Sequence, residues 1–194
     1  MFQVRIHGRG GQGVVTTSEL LAAACFVEGR HAQAFPSFGS ERTGAPVASY
    51  VRIDDVPVRS HEPVVAPDAV LVQDPTLLSA GGVLEGLTPD GWLFVNTRAD
   101  VPPDALATIG PGVHVRAVNA SDTAVRLVGR DAPGPALLAA LAAATGVVSL
   151  EALLVAVRGR FADAIAEANV EAVVDTYRCA TGAEPFGGHR APAM

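Results

Sequence analysis

One short glycine-rich stretch of the sequence has the residue types and spacing of a phosphate-binding loop. Gly8, Gly10 and Gly13 match the pattern G-x-G-x-x-G. Glycines let the backbone approach a phosphate closely, and the free N–H groups at the start of a following helix attract its negative charge. The stretch therefore predicts contact with a phosphate or another anion. A tight turn that only packs a helix on a sheet is the alternative.

The residues after this stretch do not complete a dinucleotide-binding pattern. A nicotinamide dinucleotide fold carries an acidic residue about 20 residues further on, at the end of the second strand, where it holds a ribose. Here residues 31–35 run into Pro36 without an acid, and Glu28 falls within the first helix. The sequence thus disfavours NAD, although a free-standing nucleotide-binding module or a small NAD(P)-dependent protein remains an alternative.

A second unusual stretch covers residues 35–46, where aromatic residues, prolines and glycines alternate with an adjacent Glu41-Arg42 pair. Such a stretch is stiffer than most loops. The guanidinium of Arg42 could grip a carboxylate or a phosphate through two hydrogen bonds, and an ion pair with Glu41 or another acid explains it equally well. The five histidines show no metal-ligand spacing. His7 is the only histidine beside the glycine loop, and a structural hydrogen bond explains its presence better than a functional role.

The composition excludes several classes of protein. All 14 basic residues are arginine, which excludes a Walker P-loop and Schiff-base chemistry because both need lysine. The net charge of −6 disfavours nucleic acid as a partner. Cys25 and Cys179 are too few and too far apart to hold an iron–sulfur cluster alone. The longest apolar runs, Leu20–Val27 and Ala136–Ala144, are shorter than the ~18 residues of a membrane span, so we expect a cytoplasmic protein without membrane contact.

Hydrophobic periodicity predicts the elements that position the glycine loop, which joins a strand to a helix. The predicted strands cover residues 2–7, 47–53, 69–72, 92–95 and 113–118, with 56–59 as the hairpin partner of 47–53 and 33–41 as a loop. The predicted helices cover residues 14–27, 122–128, 136–144, 150–158 and 163–180, with Ser149 as an N-cap. This order predicts an α/β fold: three-layer and Rossmann-like, with a mostly parallel sheet, a β-hairpin and a helical C-terminal third. We expect one domain over residues 1–182 and a flexible or partner-bound tail over 183–194.

Four ordered stretches also carry a resemblance to a known family. They are residues 6–15 (IHGRGGQGVV), 32–47 (AQAFPSFGSERTGAPV), 72–77 (VQDPTL) and 145–151 (TGVVSLE). Together they resemble the gamma subunit of 2-oxoacid:ferredoxin oxidoreductases, which is the third domain of single-chain pyruvate:ferredoxin oxidoreductases. The residues of these four stretches are closer to the pyruvate and branched-chain oxoacid type than to the 2-oxoglutarate type. The chain departs from the family at Gly134, where members often carry asparagine.

The resemblance implies a non-catalytic subunit of a larger enzyme. Such enzymes convert a 2-oxoacid to an acyl-coenzyme A by oxidative decarboxylation, with thiamine diphosphate, Mg and iron–sulfur clusters held by other subunits. The expected partners are alpha, beta and delta (or fused) subunits, with ferredoxin or another electron acceptor served by the complex. This chain is expected to be inactive alone, to hold no metal, to pack on the catalytic core and to help bind coenzyme A. The residues to which the resemblance assigns coenzyme A binding are Gly8, Arg9, Gly10, Gly11, Gln12, Gly13 and Arg42.

Overall fold

The computed structural model describes residues 1–37, 44–107 and 109–182. The strands are β1 (Phe2–Arg9), β2 (His31–Pro36), β3 (Pro46–Asp54), β4 (Ala69–Val72), β5 (Trp92–Asn96) and β6 (His114–Val118). The α-helices are α1 (Val14–Val27), α2 (Pro103–Leu106), α3 (Ala120–Val128), α4 (Gly134–Thr145), α5 (Leu150–Arg160) and α6 (Asp163–Ala180), and a 3₁₀ helix covers Pro75–Ala80. In the part of the chain described, no helix is long and apolar enough to cross a membrane.

The six strands form one sheet in the order β2-β3-β1-β4-β5-β6. Strands β1, β4, β5 and β6 are parallel, whereas β3 runs antiparallel to both β1 and β2. The mostly parallel α/β class is therefore confirmed. The carboxyl end of β1, where the glycine loop begins, lies in the middle of the sheet beside the end of β4, as His7 pairs with Val72.

Two predictions in the antiparallel part of the sheet are wrong. Residues 33–36 belong to strand β2 and not to a loop, and residues 56–59 are not a strand. The reason is that both edges of β3 are already occupied: Tyr50 pairs with Arg5 of β1 and with Phe35 of β2. No edge of β3 is left for residues 56–59. The hairpin of the sequence prediction is replaced by the antiparallel pair β2-β3.

The long helices lie on one face of the sheet: α1 and α4 contact the strands, and α5 and α6 pack on the outer side of these two helices. Helix α4 is buried along almost its whole length, from Gly134 to Ala142. Its sequence is apolar on every side, as expected of a helix enclosed by neighbours. Helix α1 packs on α5 and on the antiparallel strands, so its N-terminus is fixed at the carboxyl end of β1. Ser149 caps α5 as predicted, because its Oγ accepts a hydrogen bond from the N–H of Ala152 at 3.2 Å.

The opposite face is covered by shorter elements: the 3₁₀ helix, helix α2 and the loops around residues 81–91. A second core of Val70, Val72, Leu93 and Val95 packs there against Leu77, Val83, Leu84 and Val101. Arg5 of β1 is buried on this side and donates to the carbonyl oxygens of Val83 and Glu85 at 2.8 and 2.6 Å. A buried arginine thus attaches this thin third layer to the sheet.

Candidate functional site

The glycine loop connects β1 to α1, and three of its glycines are needed for different reasons. Gly11 and Gly13 have φ angles of +97° and +76°, in the left-handed region that favours glycine. Gly8 has no room for a side chain, since a Cβ there would lie 2.6 Å from Val14 Cγ2 and 2.9 Å from Gln73 Oε1. The loop therefore turns sharply and lies close to the buried end of β4.

The start of β3 holds the loop from one side. The N–H of Gly10 donates to the carbonyl of Ala45 at 2.9 Å, and the N–H of Gly44 donates to the carbonyl of Gly10 at 3.1 Å. Within the loop, the side-chain oxygen of Gln12 accepts from the N–H of Arg9 at 2.8 Å. The amides of the first turn of α1, residues 14–16, have no acceptor within their helix. They are the donors that the loop can offer to an anion.

The side chain of Arg9 is bound to the protein. Its Nε donates to Asp74 Oδ2 at 2.6 Å, Nη2 donates to Thr76 Oγ1 at 2.7 Å, and Nη1 donates to the carbonyl of Gly44 at 3.1 Å. Burial opposes ionisation of Asp74, but hydrogen bonds from Thr76 and Arg9 outweigh it and hold its pKa below the usual range. Arg9 thus ties the loop to the 3₁₀ helix and to the start of β3. Arg42, the other predicted anion contact, lies outside the described residues.

A cavity of about 400 Å³ opens beside the loop. Its walls are the glycine loop, the first turns of α1 with Thr16 and Thr17, the segment 130–135, and the end of α5 with Arg160 and Phe161. Arg130 and Arg160 are the basic residues that line it. Sequence reasoning missed both, because packing of α1 against α4 and α5 brings them there and no local pattern marks them.

A polar network lies behind the cavity. Gln73, fully buried after β4, donates from Nε2 to Thr17 Oγ1 at 2.8 Å. Asn96, at the end of β5, donates to the carbonyl of Gln73 at 2.8 Å. A Cβ at position 134 would collide with Thr17 Oγ1. A side chain at position 134, such as the asparagine expected from the family resemblance, thus has no room beside the hydroxyl of Thr17.

His7 is an unsuitable acid or base at neutral pH. Burial, with a smaller contribution from the charge of Arg5, lowers the pKa of its imidazole to about 4. It alternates with Ile6 along β1 and so points away from α1. Among the described residues, its Nε2 atom has no hydrogen-bond partner. The imidazole is therefore neutral and partly buried on the face of the sheet away from α1.

A larger cavity of about 840 Å³ lies on the opposite face of the sheet, between the 3₁₀ helix, residues 81–87 and α2. Its described charged lining residues are Glu85, Asp100 and Asp104, all of them acidic. An anion would be repelled there. The smaller cavity at the glycine loop, lined by arginines and helix amides, is the candidate site.

Comparison with known proteins identifies the family. The model of the pyruvate ferredoxin/flavodoxin oxidoreductase family matches residues 3–179. The chain belongs to this family. Over 91% of its length it is 41% identical to the pyruvate/ketoisovalerate oxidoreductases common subunit gamma of Thermococcus kodakarensis, of which 96% is covered. It corresponds to the gamma subunit of the family, a subunit of a 2-oxoacid:ferredoxin oxidoreductase, as the sequence motifs predicted.

Solved structures of the family share the fold. The pyruvate oxidoreductase subunit PORC of Thermotoga maritima superposes with a TM-score of 0.79 at 38% identity, over 91% of this chain and 95% of that one. The 2-oxoglutarate:ferredoxin oxidoreductase of Magnetococcus marinus, with 2-oxoglutarate, coenzyme A and succinyl-CoA bound, superposes with a TM-score of 0.76 at 21% identity. This chain covers 32% of that longer one, and the likeness concerns the fold alone.

Proposed function

We propose that this gamma subunit serves a thiamine diphosphate-dependent enzyme that oxidatively decarboxylates pyruvate or a related 2-oxoacid to an acyl-coenzyme A. In this proposal the subunit is non-catalytic: it packs on the other subunits and helps bind coenzyme A at the glycine loop. The observation that carries the proposal is that the loop and the first turn of α1 line a cavity together with two arginines. A coenzyme with several phosphates matches such a lining.

The proposal assigns the redox chemistry to partner subunits: alpha, beta and delta chains or fused forms of them. In the described residues, no three His, Cys, Asp or Glu side chains gather where they could hold a metal ion. Burial raises the pKa of Cys25 to about 12, which keeps it a thiol and a poor metal ligand. These residues do not fit an iron–sulfur cluster or a Mg–diphosphate site, and no chemical step is assigned to them.

The proposed coenzyme A site is the loop of Gly8, Arg9, Gly10, Gly11, Gln12 and Gly13, of which Gly11, Gln12 and Gly13 line the cavity. The glycines bring the backbone close to the ligand, and the helix amides donate hydrogen bonds to its phosphates. Arg9 acts through the loop that it holds, since three of its donors are used by Asp74, Thr76 and Gly44. Arg42 remains part of the proposal on the family resemblance.

The alternative of an NAD(P)-binding module is not favoured by the strand order. In the dinucleotide fold the second strand lies beside the first and ends next to the glycine loop. Here antiparallel β3 separates β1 from β2. The residues just before β3, Gly44 and Ala45, are hydrogen-bonded to Gly10 and cover that side of the glycine loop. A ribose-binding acid at the end of β2 would therefore be one strand too far away.

A pair of glycine substitutions tests the proposal in the assembled enzyme. Gly13→Val should raise the KM for coenzyme A by about 10–100-fold, the effect of losing one charge-assisted hydrogen bond. The matched control is Gly29→Val at the other end of α1: Gly29 has a φ of +73° against +76° at Gly13, and open space around its Cβ. The Gly29→Val variant introduces the same backbone strain at a position away from the cavity, so it should leave the KM for coenzyme A unchanged.

The half-reaction without coenzyme A separates binding from assembly. Reduction of the acceptor by the 2-oxoacid alone should proceed normally in both variants, because the proposal places that step on other subunits. An unchanged KM for coenzyme A in Gly13→Val would show that the loop is only a turn. Loss of both half-reactions in that variant, with Gly29→Val intact, would assign the loop to the subunit interface.

A further inference from the structure

We propose that Arg130 and Arg160 bind the 3′-phosphate of coenzyme A in the cavity beside the glycine loop. The inference rests on the proposed function, because it names the part of the ligand that this cavity recognises. The nucleotide end of coenzyme A carries two separate anionic groups, a diphosphate and a terminal 3′-phosphate. The cavity carries two separate sets of donors: backbone amides at the loop and two guanidinium groups.

The two donor sets suit the two anionic groups differently. Backbone amides at a glycine-rich turn fit a diphosphate that lies along the chain. Guanidinium groups form paired hydrogen bonds to the oxygens of a terminal phosphate and are well suited to its double charge. We therefore assign the diphosphate to the loop and the 3′-phosphate to the arginines.

Both arginines are available to a ligand. Arg130 follows the C-terminus of α3, is exposed, and forms no ion pair with another described residue. Arg160 lies 3.8 Å from Glu19 Oε2, too long for a hydrogen bond, and both side chains are about half exposed. Such a surface pair is weak. The ring of Phe161, which also lines the cavity, has its centroid 6.0 Å from the Arg160 guanidinium carbon.

The charge around the cavity favours an anion. Its charged lining residues are Arg130, Arg160 and one acid, Asp131. The Oδ1 atom of Asp131 accepts a hydrogen bond from Ser121 Oγ at 2.6 Å, which directs this carboxylate toward α3. The lining is thus net positive in a chain whose net charge is −6. A positive site in an acidic protein is expected where a highly charged anion must enter.

The test compares coenzyme A with 3′-dephospho-coenzyme A in the assembled enzyme. Arg130→Gln and Arg160→Gln should each weaken coenzyme A binding about tenfold and leave dephospho-coenzyme A within about twofold of wild type. The double variant should lose all preference for the 3′-phosphate. The matched control is Arg158→Gln: Arg158 lies on the same helix as Arg160 but binds Glu167 at 2.9 Å, and it does not line the cavity. It should leave both affinities unchanged.

The outcomes separate this inference from the proposed function. If the variants weaken both ligands equally, or neither, the arginines do not recognise the 3′-phosphate and the inference is wrong. If Gly13→Val still raises the KM for coenzyme A in that case, the proposed function stands without it. If neither the glycine nor the arginine variants affect coenzyme A, both are wrong. Retention of the half-reaction without coenzyme A in every variant shows that the subunit is folded and assembled.

Discussion

The three hydrogen bonds of Arg9 should contribute measurably to stability. We expect Arg9→Ala to lower the free energy of unfolding by about 2–3 kcal/mol. A charge-assisted bond such as the one to Asp74 contributes roughly 1.5–3 kcal/mol when buried. The side chains of Arg9 and Asp74 are 36% and 15% exposed, so solvent should reduce this to about 1–2 kcal/mol. The exposed bonds to Thr76 and Gly44 should add about 0.5 kcal/mol each.

The assay is urea unfolding of the purified subunit, followed by the fluorescence of Trp92, its single tryptophan. A double-mutant cycle with Asp74→Asn isolates the pair, and the coupling energy should be at least about 1 kcal/mol. A coupling below about 0.3 kcal/mol would refute the view that this ion pair ties the loop to the 3₁₀ helix.

The same variants show how Arg9 acts on coenzyme A. If Arg9 acts by holding the loop, both Arg9→Ala and Asp74→Asn should raise the KM for coenzyme A, because both release the loop. If Arg9 binds the ligand directly, Asp74→Asn would free the guanidinium and lower the KM or leave it unchanged. The latter result would contradict the role that the geometry gives to Arg9.

Three further predictions concern the sheet and its two faces. The pKa of His7 is lowered to about 4, so the neutral imidazole contributes its full share to the free energy of unfolding above about pH 6.5. This contribution should fall by up to about 3 kcal/mol as the pH is lowered toward 4. In urea unfolding, the His7→Gln variant should show a flatter pH profile in that range. Gly8→Ala should lower the free energy of unfolding by about 1–3 kcal/mol through overpacking. The control is Gly159→Ala in α5, where a Cβ has open space, and it should raise the free energy of unfolding by about 0.5–1 kcal/mol. Equal effects of the two substitutions would contradict the packing at Gly8. Arg5→Met should lower the free energy of unfolding by about 2–4 kcal/mol, because the carbonyls of the third layer lose their buried donor; an unchanged urea midpoint would rule out that attachment.

Elements with a strong local pattern could be predicted from the sequence. Helix α1 and helix α6 have the predicted bounds, 14–27 and 163–180, because residues at their ends mark them: Gly13 and Gly29 flank α1, and Asp163 begins α6. The glycine loop lies between β1 and α1, as the sequence predicts. The strand before the loop and the helix after it are predicted because the alternating hydrophobic pattern of a strand ends at Gly8–Gly13 and a helical pattern follows.

Elements that depend on contacts with distant residues could not be predicted from the sequence. Strand β2 has only one buried residue, Phe35, and its strand conformation depends on pairing with β3. The prediction of a local hairpin at residues 47–59 followed from sequence proximity, and the structure instead pairs β3 with two other strands. Likewise, Arg130 and Arg160 enter the candidate site because helices separated by over 100 residues pack together. No spacing in the sequence reveals that.

Amide hydrogen exchange in the assembled enzyme tests the central claim most directly. The amides of residues 14–16 have no acceptor within α1, so they should exchange fast in the free enzyme. Addition of coenzyme A should slow exchange in the peptide that spans the glycine loop and the first turn of α1, and the Gly13→Val variant should lose that protection. Protection confined to the partner subunits, with the loop peptide unchanged at saturating coenzyme A, would contradict the account.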